Sequence, residues 1–280
     1  MSSSHDPAVA SGRGRLLPIP WERVPWWGLV LLAAGCAAAL GIAGSPRYRE
    51  TLAFLRDGVV LTLQLTLAAY ALALVIGLAA ALMRLSRQKV LVTISILYIE
   101  VIRGVPLLVL LIYIAFVAAP AASAVLAGAA QALGMPGVAR VITATIRSDF
   151  NRAVLGLAIG YGAYLAEIYR AGIEAIPRGQ VEAARSLGMS TGQAMRHVVL
   201  PQAVRIVLPP LGNDLVALLK DSALASAIAV PELTQAGRLL SARTFRVFET
   251  YNMVALLYLM MTLLGSLGVR ALERWSRGGR

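Results

Sequence analysis

The chain has 280 residues, of which 58% are hydrophobic and 14% charged, with a mean hydropathy of +0.73. A soluble domain carries about 25% charged residues, so the composition excludes an ordinary soluble enzyme and points to a bilayer. The basic excess, 26 Lys+Arg against 14 Asp+Glu, does not indicate nucleic acid, because the arginines stand beside apolar runs as membrane anchors do.

Residues 1–24 are polar and rich in Pro, Ser, Gly and Arg, which predicts a cytoplasmic tail carrying Arg13, Arg15 and Arg23. An apolar run over 25–44 follows and predicts an additional N-terminal transmembrane helix. Trp26 and Trp27 suit the interface belt there. Cys36, the chain's single cysteine, falls in this run and reads as a small packing residue. With two histidines, His5 and His197, the chain offers no disulfide framework and no His/Cys metal site.

Since a hydrocarbon core takes about 20 apolar residues per helix, further spans can be placed. The second covers residues 59–83 and ends in a basic turn containing Arg84, Arg87 and Lys89. The third begins near residue 90, is interrupted at Arg103-Gly104-Val105-Pro106, and continues to about 119. Residues 120–151 predict a small-residue loop with an amphipathic helix over 121–133. The fourth span covers 152–169, the fifth 206–230 and the sixth 253–272. More bases fall in the segments placed inside when the N-terminus is cytoplasmic, which also puts residues 171–203 inside.

That inner segment carries the most specific pattern in the sequence. Pro177 breaks the preceding helix. Residues 180–187 then predict a short helix, with Gly188 in the left-handed position after its last turn. Ser190 and Gln193 have capping-box spacing and predict a second helix that stops before Pro201. Ala183 and Ala184 leave the first helix little bulk, so its backbone can approach a groove. Glu182 offers a carboxylate for a basic partner.

The order Glu182-Ala183-Ala184, three residues, Gly188, nine residues, Val198-Val199-Leu200-Pro201 resembles the EAA coupling loop of ABC-transporter permease subunits, with Val198 where the family has Ile. Three further stretches resemble the polar amino-acid branch of that family (histidine, glutamine, glutamate, arginine and opine permeases). They are Glu100-Val101-Ile102-Arg103-Gly104-Val105-Pro106-Leu107-Leu108, Tyr164-Leu165-Ala166-Glu167-Ile168-Tyr169-Arg170-Ala171-Gly172, and Lys220-Asp221-Ser222 after Pro209-Pro210-Leu211-Gly212-Asn213. The resemblance covers residues 52–275.

It implies an all-α membrane protein with the type I ABC importer transmembrane domain, here six helices: a five-helix core plus the N-terminal span. Glu182, Ala183, Ala184, Gly188, Leu200 and Pro201 would couple to ABC ATPase subunits. A second permease subunit, identical or not, would complete the pathway. An extracytoplasmic substrate-binding protein would deliver polar amino acids at the bacterial cytoplasmic membrane. The chain itself implies no cofactor and no enzymatic site; ATP and Mg belong to the partner ATPase. Its two lysines, Lys89 and Lys220, follow Gln88 and Leu219, so it has no Gly-Lys-Ser/Thr phosphate loop.

Ionisable groups at membrane depth line a cavity or pair with one another. Asn213, Asp214, Lys220 and Asp221 on a broken fifth helix, with Arg103 at the interruption of the third, are therefore candidate pathway residues, Lys220 or Arg103 lying near a substrate carboxylate. The alternative is that Lys220 satisfies Asp221. Glu100 with Arg103 reads as a structural i,i+3 pair, and Glu167 with Arg170 shares the ambiguity. Gly77, Gly156 and Gly160 read as close-packing positions. A stand-alone secondary transporter is the competing function, but it predicts inverted repeats with paired broken helices, and one strongly polar span is present.

Overall fold

A computed structural model describes Gly35, Gly41 and residues 44–277. The tail over 1–24 and nearly all of the 25–44 span, Cys36 included, lie outside the described residues. The chain divides into two units, Met1–Arg49 and Glu50–Arg280, and the description concerns the second. Among the described residues every regular element is helical.

Helix α1 (Pro46–Arg84) is a single 39-residue rod. The apolar run expected from residue 59 therefore extends toward the N-terminus through a more polar first section. After the turn at Leu85–Gln88, α2 (Lys89–Gly104) runs to Val105, whose extended backbone (ψ 135°) precedes Pro106. A residue before proline is disfavoured in the helical region, so the interruption expected at 103–106 is a helix boundary.

Beyond Pro106 the structure corrects the expected loop. Helix α3 (Leu107–Tyr113), a π-helical turn (Ile114–Ala118) and α4 (Ala119–Ala132) form one continuous run. The helix expected over 121–133 is present as the end of this long run, and the remainder of the expected loop holds a second helix, α5 (Pro136–Arg147). Alanine, abundant here, is the best helix former. Gly134, at φ +71°, makes the reversal between α4 and α5. Ser148 then caps α6 (Asp149–Glu174).

The segment over 171–203 holds α7 (Arg178–Ser186) and α8 (Thr191–Ala194). A second π-helical turn, Met195–Val199, leads into α9 (Leu200–Asp221). The expectation that the helix stops before Pro201 is wrong: the chain winds through it. Pro120 stands in the same relation to its own π turn. The Ala119 amide donates to the Ile114 carbonyl and the Leu200 amide to the Met195 carbonyl. Proline has no N–H, and its ring clashes with the carbonyl four residues back in a regular α-helix. A widened turn just ahead of the proline relieves that conflict without ending the helix.

The expected fifth span over 206–230 is also corrected. Pro209 and Pro210 lie inside α9, and the break comes later, where a 3₁₀ stretch (Ser222–Ile228) ends at Ala229 with φ 62°. The chain then turns back through α10 (Leu233–Thr244) and enters α11 (Val247–Arg277).

Three runs, Pro46–Arg84, Leu107–Ala132 and Val247–Ala271, are long and apolar enough to cross a membrane. Helix α6 has 26 residues, about 39 Å at ~1.5 Å per residue, and is the hub of the packing. Its Ala153, Leu157, Ala158, Tyr161 and Leu165 share one buried core with Leu65, Ala69 and Ala73 of α1, Leu111 of α3 and Leu218 of α9. Small residues permit this. A Cβ on Gly77 would lie 2.8 Å from the Leu165 Cβ and 3.0 Å from the Gly162 carbonyl oxygen. One on Gly156 would meet Leu111 at 2.6 Å, and one on Gly160 would meet Leu107 at 2.5 Å. Hydrogen bonds from side chains tie α2 to α1 and to the hub. Ser95 donates to the Ala80 carbonyl at 2.7 Å and Tyr98 to the Ile159 carbonyl at 2.7 Å.

Candidate functional site

Residues 171–203 form a helical elbow. Pro177 stands just before α7, which ends in a Schellman arrangement. The Met189 amide donates to the Ala184 carbonyl at 3.2 Å and the Gly188 amide to the Arg185 carbonyl at 2.9 Å. Gly188 takes φ +84°, the left-handed region that glycine adopts without a Cβ penalty. The next helix starts with a complete capping box. Ser190 Oγ accepts from the Gln193 amide at 3.3 Å, and Gln193 Oε1 accepts from the Ser190 amide at 2.8 Å.

Of the residues expected to couple, Glu182, Ala183, Gly188, Leu200 and Pro201 are exposed, whereas Ala184 is buried. Ala184 therefore seats α7 on the body of the protein, while Glu182 and Ala183 face outward. Leu187, 81% exposed, adds an unburied apolar side chain at the elbow. A contact the sequence did not suggest braces the arrangement: Gln202 Nε2 donates to Gln180 Oε1 at 2.5 Å and to the Val198 carbonyl at 2.8 Å.

An ionic cluster lies where α1 and α6 end. Glu167 accepts from Arg170 at 2.6 Å and lies 3.4 Å from Arg84, and Arg170 also reaches Glu174. Glu167 and Arg170 thus pair as their spacing suggests, with Arg84 added across helices. Glu100 and Arg103 do not pair. The Arg103 guanidinium instead lies 5.4 Å above the centre of the Tyr164 ring, a cation–π contact.

Arg103 leads to the second group of candidates. The Tyr164 and Tyr161 ring centres are 6.2 Å apart, and Tyr161 Oη donates to Asp221 Oδ2 at 2.7 Å. Two tyrosines of α6 therefore connect Arg103 of α2 to Asp221 at the end of α9. Asp214 is half-buried and lies within electrostatic range of Tyr70 and Tyr161, and Tyr70 Oη itself donates to the Leu211 carbonyl. Lys220 makes no ion pair with Asp221, contrary to one of the two expectations. It is exposed, as is Asn213 one heptad earlier on the same face of α9. Tyr70, Tyr161 and Tyr164 were missed from sequence. Their signal was the presence of polar hydroxyls within otherwise apolar helices, which buried tyrosines satisfy with a partner.

Sequence reasoning also missed Glu232. It is fully buried and caps α10, accepting from the amides of Thr234 and Gln235 at 2.9 Å each and from Tyr258 Oη at 2.7 Å. The adjacent Leu233 amide donates to Thr62 Oγ1 at 3.0 Å, which fixes the returning helix to α1. Among the described residues no cluster of His, Cys, Asp and Glu could hold a metal.

A body of long apolar helices with an elbow of two capped helices places the chain among helical membrane proteins. Comparison with known proteins gives the family. Residues 73–278 match the model for the binding-protein-dependent transport system inner membrane component, and the chain belongs to this family. It is 37% identical over 219 residues to the probable glutamine ABC transporter permease protein GlnM of Bacillus subtilis (strain 168), covering 78% of this chain and 91% of that one. To the glutamine transport system permease protein GlnP of Escherichia coli (strain K12) it is 35% identical, over 78% and 90% of the two chains. The crystal structure of an amino acid ABC transporter with histidines superposes with a TM-score of 0.67 at 38% identity, covering 80% of this chain and 95% of that chain.

The protein is accordingly a membrane-spanning permease subunit with the ABC importer fold. ATP is hydrolysed in a separate subunit, and membership implies work with an ATPase and a substrate-binding protein.

Proposed function

We propose that this permease passes polar amino acids inward across the cytoplasmic membrane, with two permease subunits enclosing the pathway. The N-terminus and the elbow over 171–203 face the cytoplasm. There Glu182, Ala183, Gly188, Leu200 and Pro201 engage an ABC ATPase that holds ATP and Mg, and the buried Ala184 supports them by seating α7 on the body of the permease. The observation that carries this reading is the elbow itself, with Gly188 at φ +84° and a complete capping box two residues later. Two short helices held at a fixed angle by backbone geometry transmit a push as a rigid unit, biasing a two-state body toward one state.

Substrate contact falls to Arg103, Asn213, Asp214, Lys220 and Asp221. Lys220 and Asn213 share the face of α9 that this chain leaves uncovered, where a cation can meet a carboxylate. The half-buried Asp214 offers the opposite charge for an amino group. This polarity supports a zwitterionic cargo, in keeping with the glutamine and other amino-acid permeases it resembles.

The test is reconstitution with the partner ATPase and binding protein in proteoliposomes. Labelled glutamine, arginine and histidine are offered in turn. ATP-dependent uptake of at least one, abolished by Gly188→Val and reduced by Lys220→Ala, is the expected result. Uptake that persists without the ATPase would overturn the coupling reading.

A further inference from the structure

The flank built from the π turn after α3, from α4, α5 and the first half of α6 encloses an open groove of about 480 Å³, a size typical of small-molecule sites. Its walls are apolar: Ala118, Ala122, Leu126, Ile142, Leu155 and Ile159 run along it. An adjoining hollow of about 250 Å³ shares Ser123 and Ile146 with it and carries Thr143, Arg147 and Arg152. The groove therefore ends at a mouth with two guanidinium groups.

The two arginines are held differently. Arg152 is fixed, with Nε donating to the Ile146 carbonyl at 2.7 Å and Nη1 to Asp149 at 3.2 Å. Its side chain is 19% exposed. Arg147 is exposed, and among the described residues no hydrogen bond or ion pair engages it. Asp149 answers one of the two charges and leaves the other unmet.

Depth is set by α6. At ~1.5 Å per residue Arg152 lies about 27 Å along the helix from Arg170, close to the ~30 Å hydrocarbon thickness. Arg170 sits in the ionic cluster with Glu167 and Arg84, so Arg152 marks the opposite membrane boundary. From that boundary the groove descends to Ile159, about 10 Å further into the apolar layer.

A cationic mouth at the headgroup level above an apolar channel matches one amphiphile. We propose that this groove binds one anionic phospholipid per permease subunit, its phosphate between Arg147 and Arg152 and an acyl chain along Ala118, Ala122 and Leu155. A soluble anion would leave the apolar wall unoccupied. An apolar helix from another protein would bring no charge to meet Arg147. A zwitterionic lipid carries a cation of its own toward the arginine pair. The bound lipid would brace the α4–α5 pair against α6.

The experiment is native mass spectrometry of the assembled transporter released from nanodiscs of phosphatidylglycerol mixed with phosphatidylcholine. Wild type is expected to retain phosphatidylglycerol in preference. Arg147→Gln should lower that retention about tenfold or more, the effect of one lost charge-assisted hydrogen bond. Arg147→Lys should keep most of it. Ala122→Phe, which fills the channel, should reduce retention of both lipids. Should Arg147→Gln fail to assemble, Thr143→Glu places a carboxylate in the mouth and should have the same effect. Equal retention of the two lipids, or retention unchanged in both Arg147→Gln and Ala122→Phe, overturns the proposal. So does a cysteine at Ala122 that crosslinks efficiently to a second permease subunit, since the occupant would then be protein.

Discussion

Tyr161 donates its hydroxyl to Asp221 across the interface of α6 and α9, at 2.7 Å. The bond joins the hub of the fold to the residue at which α9 gives way to the 3₁₀ turn, so packing and the candidate pathway share one hydrogen bond. A hydrogen bond to a charged group contributes about 1.5–3 kcal/mol. Tyr161→Phe, which keeps the ring against Tyr164 and removes only the hydroxyl, should therefore lower stability in detergent by that order. It should also slow uptake while the ATPase still co-purifies. Unchanged transport and an unchanged thermal midpoint in Tyr161→Phe would show that Asp221 finds another donor.

At Gly188 the strain is conformational and not steric. A Cβ there would meet nothing within 4 Å, yet φ is +84°. Left-handed backbone costs an ordinary L-residue roughly 1–2 kcal/mol, and Asn tolerates it better. Coupling should fall in the order Gly, Asn, Ala, Val, read as the ATPase rate stimulated by substrate-loaded binding protein. A valine variant that couples as well as the asparagine one would mean that the elbow's angle is not what matters.

Two other glycines separate packing from propensity. Gly77→Ala places a methyl group 2.8 Å from the Leu165 Cβ and 3.0 Å from a backbone oxygen. Overpacking of this kind costs about 1–3 kcal/mol. Gly128, within α4 and with nothing near its Cβ position, should respond in the opposite sense, Gly128→Ala adding up to about 1 kcal/mol. Thermal unfolding of both variants in the same detergent checks the sign of each.

Glu232 caps α10 and ties it to α11 through three accepted hydrogen bonds. Glu232→Ala leaves the buried Gln235 amide and the part-buried Thr234 amide without that acceptor, at about 1–3 kcal/mol for a buried unsatisfied group, while the Tyr258 hydroxyl keeps Thr234 Oγ1 at 3.1 Å. The variant should fail to accumulate or aggregate at lower temperature. Glu232→Gln, which keeps one carbonyl acceptor, should fall between the alanine variant and wild type in a detergent melting assay.

The local features of the elbow were legible because they depend on neighbours within a few residues. Pro177, Gly188 and the Ser190–Gln193 box each act on the backbone beside them, and each produces the turn or cap its chemistry requires. The same local reasoning failed at Pro201 and beyond residue 133, although the helix expected over 121–133 is present as Ala119–Ala132. A π turn that ends two residues before a proline has no compositional mark. Glu100 and Arg103 had the right spacing for a pair, but the ring of Tyr164 on α6 took the arginine.

The sequence by itself determined that the chain is a membrane protein, where its inner elbow lies and to which family it belongs. Apolar runs, prolines, caps and motif spacing all act along the chain. Only the tertiary structure decided that Arg103, Tyr164, Tyr161 and Asp221 form one connected string, that Glu232 is buried as a cap, and that Lys220 does not pair with Asp221. It also placed Arg147 and Arg152 at the head of an apolar groove. Those relationships join residues of different helices. Which side chains meet across helices is set by the close approach that Gly77, Gly156 and Gly160 allow and by the place where α9 breaks, neither of which periodicity within a single helix encodes.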